Sequence, residues 1–376
     1  MNRESAPFGL KSTLLKLLWL LPGPVFYALF RLSFVWPSFT EAVYSRGVYP
    51  VIAQGLSTLT GLLPFSLAEL LLYAFILALA VYIVLMIIAA IRLKRQWWQA
   101  LVTRMIILLS AVSMVYALFV GLWGFNYARE PLSASLGLDA SPATVDELYS
   151  TCEALISQAN ALRAEVPENS EGVFAPDLSK TDIMIRIPVE YNNAAKLTGH
   201  SFLGGSYGRA KPVLYSQGMS WSFLCGVYFP FTAEANVNID APDLLFVSSC
   251  THEEGHQRGF AREDEANFLA YYVLSYSDDV SMRYSGTMLA LIHAMNALYG
   301  ADSDRYFELR GAYSSGINAD LQANGNYWAQ YESEVSEAVT QVNNTYLKAN
   351  MQQDGVKSYG RMADLLIALW RSGGIG

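Results

Sequence analysis

The stretch His252-Glu-Glu-Gly-His256-Gln-Arg-Gly259-Phe-Ala-Arg-Glu263-Asp-Glu-Ala-Asn267 decides how the second half of this chain is read. Its first five residues set two histidines four apart. On an α-helix such residues share a face about 6 Å apart along the axis, so both imidazoles reach one metal ion. Glu253 is turned roughly 100° from His252, close enough to touch a water on the metal without competing as a ligand. The whole chain holds 4 histidines, and two fall in this run, which argues against a chance pairing.

A catalytic zinc takes three protein ligands and keeps a fourth position for water. The third ligand is sought among Glu263, Asp264 and Glu265, which follow the helix-stopping Gly259. Glu263 and Asn267 are four apart and face the same way, so a Glu263 ligand would have Asn267 beside it as a hydrogen-bonding support. Glu265 is rotated about 200° from Glu263 and points elsewhere. Glu263 is therefore preferred over Glu265, and Asp264 comes last. Gly259 stands where the metzincin motif has its turn glycine, but Arg262 occupies the place of that motif's third histidine, and a cation cannot be the ligand.

Of the 376 residues, 53% are hydrophobic and 15% charged, against about 25% charged in soluble proteins, so part of the chain belongs in lipid. Leu67 to Ile91 and Met105 to Gly124 each meet the roughly 20-residue requirement for a spanning helix. Leu14 to Val35 is a weaker third span, interrupted by Pro22-Gly23-Pro24 and carrying Lys16 and Arg31; it reads as an uncleaved signal-anchor. Val48 to Pro64 reads as an interfacial or re-entrant piece, and Glu69 as an interfacial acid. Arg92, Lys94, Arg95 and Arg104 lie between the two strong spans with no acid, which keeps that connection in the cytoplasm together with Arg3, Lys11 and Lys16. The chain after Gly124 is then extracytoplasmic. A net charge of -8 without a basic aromatic cluster excludes nucleic acid as a partner.

These features divide the chain into a transmembrane region, 1–128, with spans at about 14–35, 67–91 and 105–124, and an extracytoplasmic domain, 129–376. In the latter, Val145 to Arg163 has helical spacing with Ser141 or Thr144 as cap, and Pro188 to Thr198 reads as a short helix. Phe223 to Asn238 is dense in aromatic and β-branched residues around Pro230, which suggests an edge strand. Asp243 to Cys250 leads into a metal helix over Thr251 to Arg258, followed by helices at Arg262 to Leu274 and Met282 to Leu298. Cys152, Cys225 and Cys250 give no disulfide framework, although a Cys225–Cys250 bridge and free thiols both remain open.

The run from His252 to Asn267 resembles the signature of the bacterial membrane domain-of-unknown-function family 3810. Gly226-Val-Tyr-Phe-Pro-Phe-Thr-Ala-Glu-Ala-Asn-Val-Asn238, Leu122-Trp-Gly-Phe-Asn-Tyr127 and Asp354-Gly-Val-Lys-Ser-Tyr-Gly360 fit the same resemblance, which covers most of the chain. The Glu-x-x-Ala-Asn pattern is also similar to gluzincin-type peptidases, in which a helical glutamate four residues before Asp or Asn completes the zinc site. That resemblance implies Glu263 as the ligand.

The expectation is an α-rich membrane protein with three amino-terminal transmembrane helices and an extracytoplasmic α+β zincin-like metallopeptidase domain, set in the lipid bilayer of the cell membrane. Zn2+ would be held by His252, His256 and Glu263, and Glu253 would serve as general base for hydrolysis of a protein or peptide substrate by a zinc-activated water. The strand Phe229 to Val237 would hold that substrate by β-addition. Tyr271, Tyr272, His293 and Tyr228 are the donors available to the transition state. The rival expectation is a non-catalytic sensor or assembly module in which zinc only stabilises the fold.

Overall fold

A computed structural model of the protein describes residues 17–92, 97–350 and 361–375. The expected cytoplasmic residues Arg3, Lys11, Lys16, Lys94 and Arg95, and the Asp354–Gly360 motif, lie outside these. Among the described residues two helices are long and apolar enough to cross a membrane, over Leu67–Ala89 and Leu101–Leu122. Neither is a core helix, since 0% and 17% of their apolar windows are buried.

The described part of the first apolar segment is a helix, α1 (Pro22–Ser33), preceded by turns at Trp19–Leu21 where the prolines interrupt the chain. Its 12 residues are about 18 Å long, which is shorter than a crossing. A π-helical segment, Thr40–Val48, leads directly into α2 (Tyr49–Gly61). α3 (Leu67–Arg92) and α4 (Trp97–Leu122) follow. α1 runs alongside the second half of α4: the Gly23 N–H donates to Ser113 Oγ at 2.7 Å, and Gly121 faces the Phe26 ring. Small residues at both contacts let the backbones approach. α2 is a packed helix with Tyr49, Ala53, Ser57 and Thr60 buried.

Beyond a 3-10 turn at Gly124–Ala128 comes the larger, helical part of the chain. α5 (Val145–Arg163) begins with a capping box between Thr144 and Glu147. α6 (Lys180–Thr198) starts earlier than the Pro188 expected from sequence, because Ser179 caps it and Pro188 is carried inside the helix. The three-stranded sheet has the order β1 (Lys211–Pro212), β3 (Glu234–Val237), β2 (Gly226–Phe229). The single edge strand expected over Phe229–Val237 is thus corrected to a hairpin. Its chain reverses between Phe229 and Glu234, with Ala233 at φ 53°, and β3 is central because it also pairs in parallel with β1. β1 and β2 are the edge strands, and β2 is the one beside the His-Glu-x-x-His helix.

α7 (Asp243–Gln257) carries the His-Glu-x-x-His motif and is longer than the Thr251–Arg258 expectation, since the apolar run before it is already helical. α8 (Glu263–Leu274) and α9 (Val280–Ala301) pack on it and on α5 through a core that includes Leu155, Val247, Phe268 and Leu291. α10 (Glu334–Ala349) and α11 (Met362–Arg371) complete the described chain. A second apolar cluster joins Phe30, Tyr49, Val120, Trp123 and Tyr127 to Tyr207, Tyr228, Ala233 and Ala261, so the base of the apolar helices and the motif region share one interior.

Hydrogen bonds reinforce this join. Both oxygens of the buried Glu234 carboxylate on β3 accept the backbone N–H groups that start α3, Leu67 at 3.2 Å and Ala68 at 2.8 Å. Negative charge at a helix N-terminus meets its unpaired donors and its dipole. Glu69 is buried against the protein and accepts from the Leu214 and Tyr215 N–H groups and the Tyr73 hydroxyl. The buried Lys211 ammonium donates to Thr60 O at 2.8 Å and to Leu63 O, the carbonyls at the end of α2.

Candidate metal centre

α7 ends at Gln257 and the chain turns at Gly259, whose φ of 88° suits glycine. A Cβ there would lie 2.9 Å from the Tyr49 ring, so the close approach also needs glycine. Four residues later α8 starts at Glu263, and the turn brings that carboxylate back to α7. Glu263 Oε2 stands 3.2 Å from His252 Nε2 and 3.6 Å from His256 Nε2. The ligand atoms of all three residues lie within 4.8 Å of one another. In a tetrahedral zinc site with bonds near 2.0–2.1 Å, neighbouring ligand atoms are about 3.4 Å apart.

The imidazole of His256 is oriented by its other nitrogen: Nδ1 donates to the Phe260 carbonyl at 2.7 Å, which turns Nε2 towards Glu263 as an electron-pair donor. The rings of His252 and His256 stand edge to face with centroids 4.6 Å apart. The donor set of two nitrogens and one carboxylate oxygen suits zinc, and its spacing fits. Burial pushes the Glu263 carboxyl up, but the charges and hydrogen bonds of His256 and His252 overcome this and hold it well below the usual carboxylate range. Burial disfavours the charged His256, yet the Glu263 carboxylate raises it to about 9. A dication would take over the role of that proton.

Glu253 lies beside this cluster with its carboxyl against Gly226, the first residue of β2. Burial, opposed by the two histidines, raises its pKa to about 7, and its buried Oε2 has no hydrogen-bond partner. Of the other acids, Glu265 Oε1 accepts from the Leu132 N–H at 2.8 Å, and Asp264 pairs with Arg262 at 2.9 Å, so neither joins the cluster. Asn267 lines the same cavity one turn beyond Glu263.

That cavity measures about 620 Å³. Besides the motif residues its walls include Gly226–Tyr228 of β2, Trp123 and Tyr127, His293 of α9, and Val339, Val342 and Tyr346 of α10. Among the donors expected from sequence, His293 and Tyr228 line it. Tyr228 shares its hydroxyl with Tyr49 at 3.0 Å, and Tyr49 in turn donates to Gln257 O. Tyr271 instead donates to Gln158, and Tyr272 stacks with Phe268 and meets Tyr276 edge to face; neither lines the cavity. Cys225 and Cys250 are free thiols.

Sequence alone gives three aromatic residues no role in the site, although Trp123 and Tyr127 belong to the Leu122–Tyr127 motif. Trp123 presents its ring to His256 at 6.0 Å between centroids. Tyr127 and Tyr346 meet hydroxyl to hydroxyl at 3.0 Å, and burial together with the nearby Glu263 charge raises the pKa of both. A further clamp lies behind the turn. Arg129 donates from Nε and Nη2 to the Glu41 carboxylate at 2.9 and 2.8 Å and from Nη1 to Gly259 O at 2.9 Å, with its guanidinium 4.0 Å above the Phe260 ring.

Fold and site together define a helix-rich protein with two apolar helices of membrane-crossing length and a two-histidine, one-glutamate cluster at their base. The chain belongs to the family described as "Protein of unknown function (DUF3810)", whose model matches residues 44–367. No curated protein and no solved structure matches it.

Proposed function

We propose that this protein is a membrane-anchored, zinc-dependent peptidase of zincin-like architecture, with His252, His256 and Glu263 as metal ligands and Glu253 as general base. The observation that carries this reading is the position of Glu263 Oε2, near both Nε2 atoms, with the unpartnered Glu253 oxygen beside them. Zinc bound there supplies Lewis acidity towards a water molecule and a scissile carbonyl. Glu253, held near neutrality, takes the proton of the attacking water and returns it to the leaving amine. The outer edge of β2 offers backbone groups for an extended substrate, and His293, Tyr127, Tyr228 and Tyr346 are among the donors within the cavity.

In this reading α3 and α4 both cross the membrane and the basic connection 92–104 is cytoplasmic. The cavity then opens on the outer side. The test is metal analysis of the purified full chain beside Glu253→Gln, both assayed on a peptide library. Bound zinc in both with cleavage by the wild type alone supports the peptidase. Zinc in both with no cleavage by either favours a zinc-stabilised sensor or assembly module. Absence of zinc from both overturns the metal site.

A further inference from the structure

We infer that the substrate is a polypeptide itself anchored in the bilayer, cut within a few residues of the membrane surface; this rests on the peptidase reading above. The metal centre is built against the end of an apolar helix. α4 ends at Leu122, and the next residue, Trp123, packs on the metal-facing imidazole of His256. Tyr127, five residues past the helix end, lines the same cavity as Glu263. With so few residues between them, the catalytic cluster cannot stand far above the level at which α4 leaves its apolar surroundings.

An independent feature marks that same level. Trp36 and Phe39 (56% and 65% exposed) flank an apolar pocket that includes Phe125, just past the α4 end. Leu62, Leu214 and Trp221 (79%, 68% and 47% exposed) lie near the α3 end, where the Leu214 N–H is bonded to Glu69 in the first turn. Large exposed apolar and aromatic side chains collected at both helix ends form the belt expected at a membrane interface. The cavity therefore lies where a bilayer meets water, instead of at the far end of the helical domain.

The lining selects further. Among the described residues no lysine or arginine contributes to the cavity wall, so none of these supplies an ammonium or guanidinium for a phosphate headgroup or an acidic peptide. Leu224, Leu245, Val339 and Val342 contribute apolar surface instead. Val342 does so while 69% exposed, which leaves an apolar wall open to an incoming chain. An apolar stretch of polypeptide fits this wall, with its backbone along β2. In soluble substrates such stretches are buried in a folded core, whereas beside a transmembrane segment they lie at the height of the cavity.

The test uses the full-length, zinc-loaded protein in phosphatidylethanolamine–phosphatidylglycerol vesicles and three substrates sharing one apolar cleavage segment. In the first the segment directly adjoins a spanning helix of about 20 apolar residues. In the second a polar spacer of about 30 residues, roughly 100 Å when extended, separates the two. The third is the free peptide. The expected result is cleavage of the adjoining substrate about tenfold faster than the spaced one, whose surface concentration is the same, with the free peptide slower still. Equal rates for adjoining and spaced substrates would overturn the inference and leave the peptidase reading intact. No cleavage of any of them by zinc-loaded protein would overturn both.

Discussion

Gly226 on β2 and Glu253 on α7 compete for the same space: a Cβ added to Gly226 would lie 2.7 Å from Glu253 Cδ and closer still to Cγ and Oε1. The strand thus forms the wall that fixes the carboxyl of the proposed base, and only a residue without a side chain leaves room for it. Gly226→Ala must push the Glu253 side chain aside while leaving the three ligands untouched. The expected outcome is unchanged zinc content with peptide cleavage reduced about 100-fold, the cost of misplacing a reacting group by roughly 1 Å. Ile185→Ala, at an exposed position on α6 that does not line the cavity, is the control. Full activity in Gly226→Ala would contradict Glu253 as base.

Gly259 makes a separate prediction, about affinity. Its positive φ and its contact with Tyr49 set where the Phe260 carbonyl lies, and that carbonyl orients His256. In Gly259→Ala the left-handed conformation costs about 1–2 kcal/mol, and the Tyr49 ring must also shift. Loss of the supporting hydrogen bond weakens zinc binding by about 10–100-fold. Competition against a chelating indicator reads this directly. An unchanged affinity would show that the turn does not set the imidazole.

The Glu41–Arg129 pair predicts a pH dependence of stability. Burial raises the Glu41 carboxyl, but Arg129 and Arg46 more than offset this and its pKa is lowered from the ordinary value. A carboxylate depressed in the folded state stabilises the fold above its unfolded pKa and loses that contribution as pH falls through the folded one. Thermal unfolding in detergent should therefore show wild type losing stability below about pH 4.3, beyond the loss seen in Glu41→Gln. Arg129→Met, which leaves the buried carboxylate with only the more exposed Arg46, should cost up to about 3–5 kcal/mol at neutral pH. Parallel pH profiles for wild type and Glu41→Gln would remove the pair from this account.

Much of the cluster was legible because it is local. His252 and His256 share a helical face by spacing alone, Gly259 marks the turn, and Glu263 faces Asn267. What sequence could not provide was long-range pairing. Tyr127 and Tyr346 meet across 219 positions, and no periodicity in either segment announces it. The central place of β3 depends on two residues of β1, too short a strand to leave a pattern. The partners of Glu69, the Leu214 and Tyr215 N–H groups, were invisible because they are backbone donors that any residue would supply. The long apolar runs were plain from composition, whereas the attachment of α3 to the sheet was not.

That attachment yields the last prediction. Glu234 is 1% exposed and uses its two oxygens for the Leu67 and Ala68 N–H groups, while Thr232 Oγ1 also donates to Oε2 at 3.0 Å. Glu234→Gln keeps the shape but replaces one acceptor with an amide NH2, which then faces a backbone donor. One buried N–H loses its partner, at a cost of about 1–3 kcal/mol, and the favourable charge at the α3 N-terminus is lost with it. The ligands and Glu253 lie on α7 and α8, so zinc content below the unfolding transition should not change. The expected result is a lowered melting temperature in detergent with stoichiometric zinc retained in the folded protein. A stability within about 0.5 kcal/mol of wild type, the ordinary effect of a surface substitution, would mean that Glu234 does not hold α3 to the sheet.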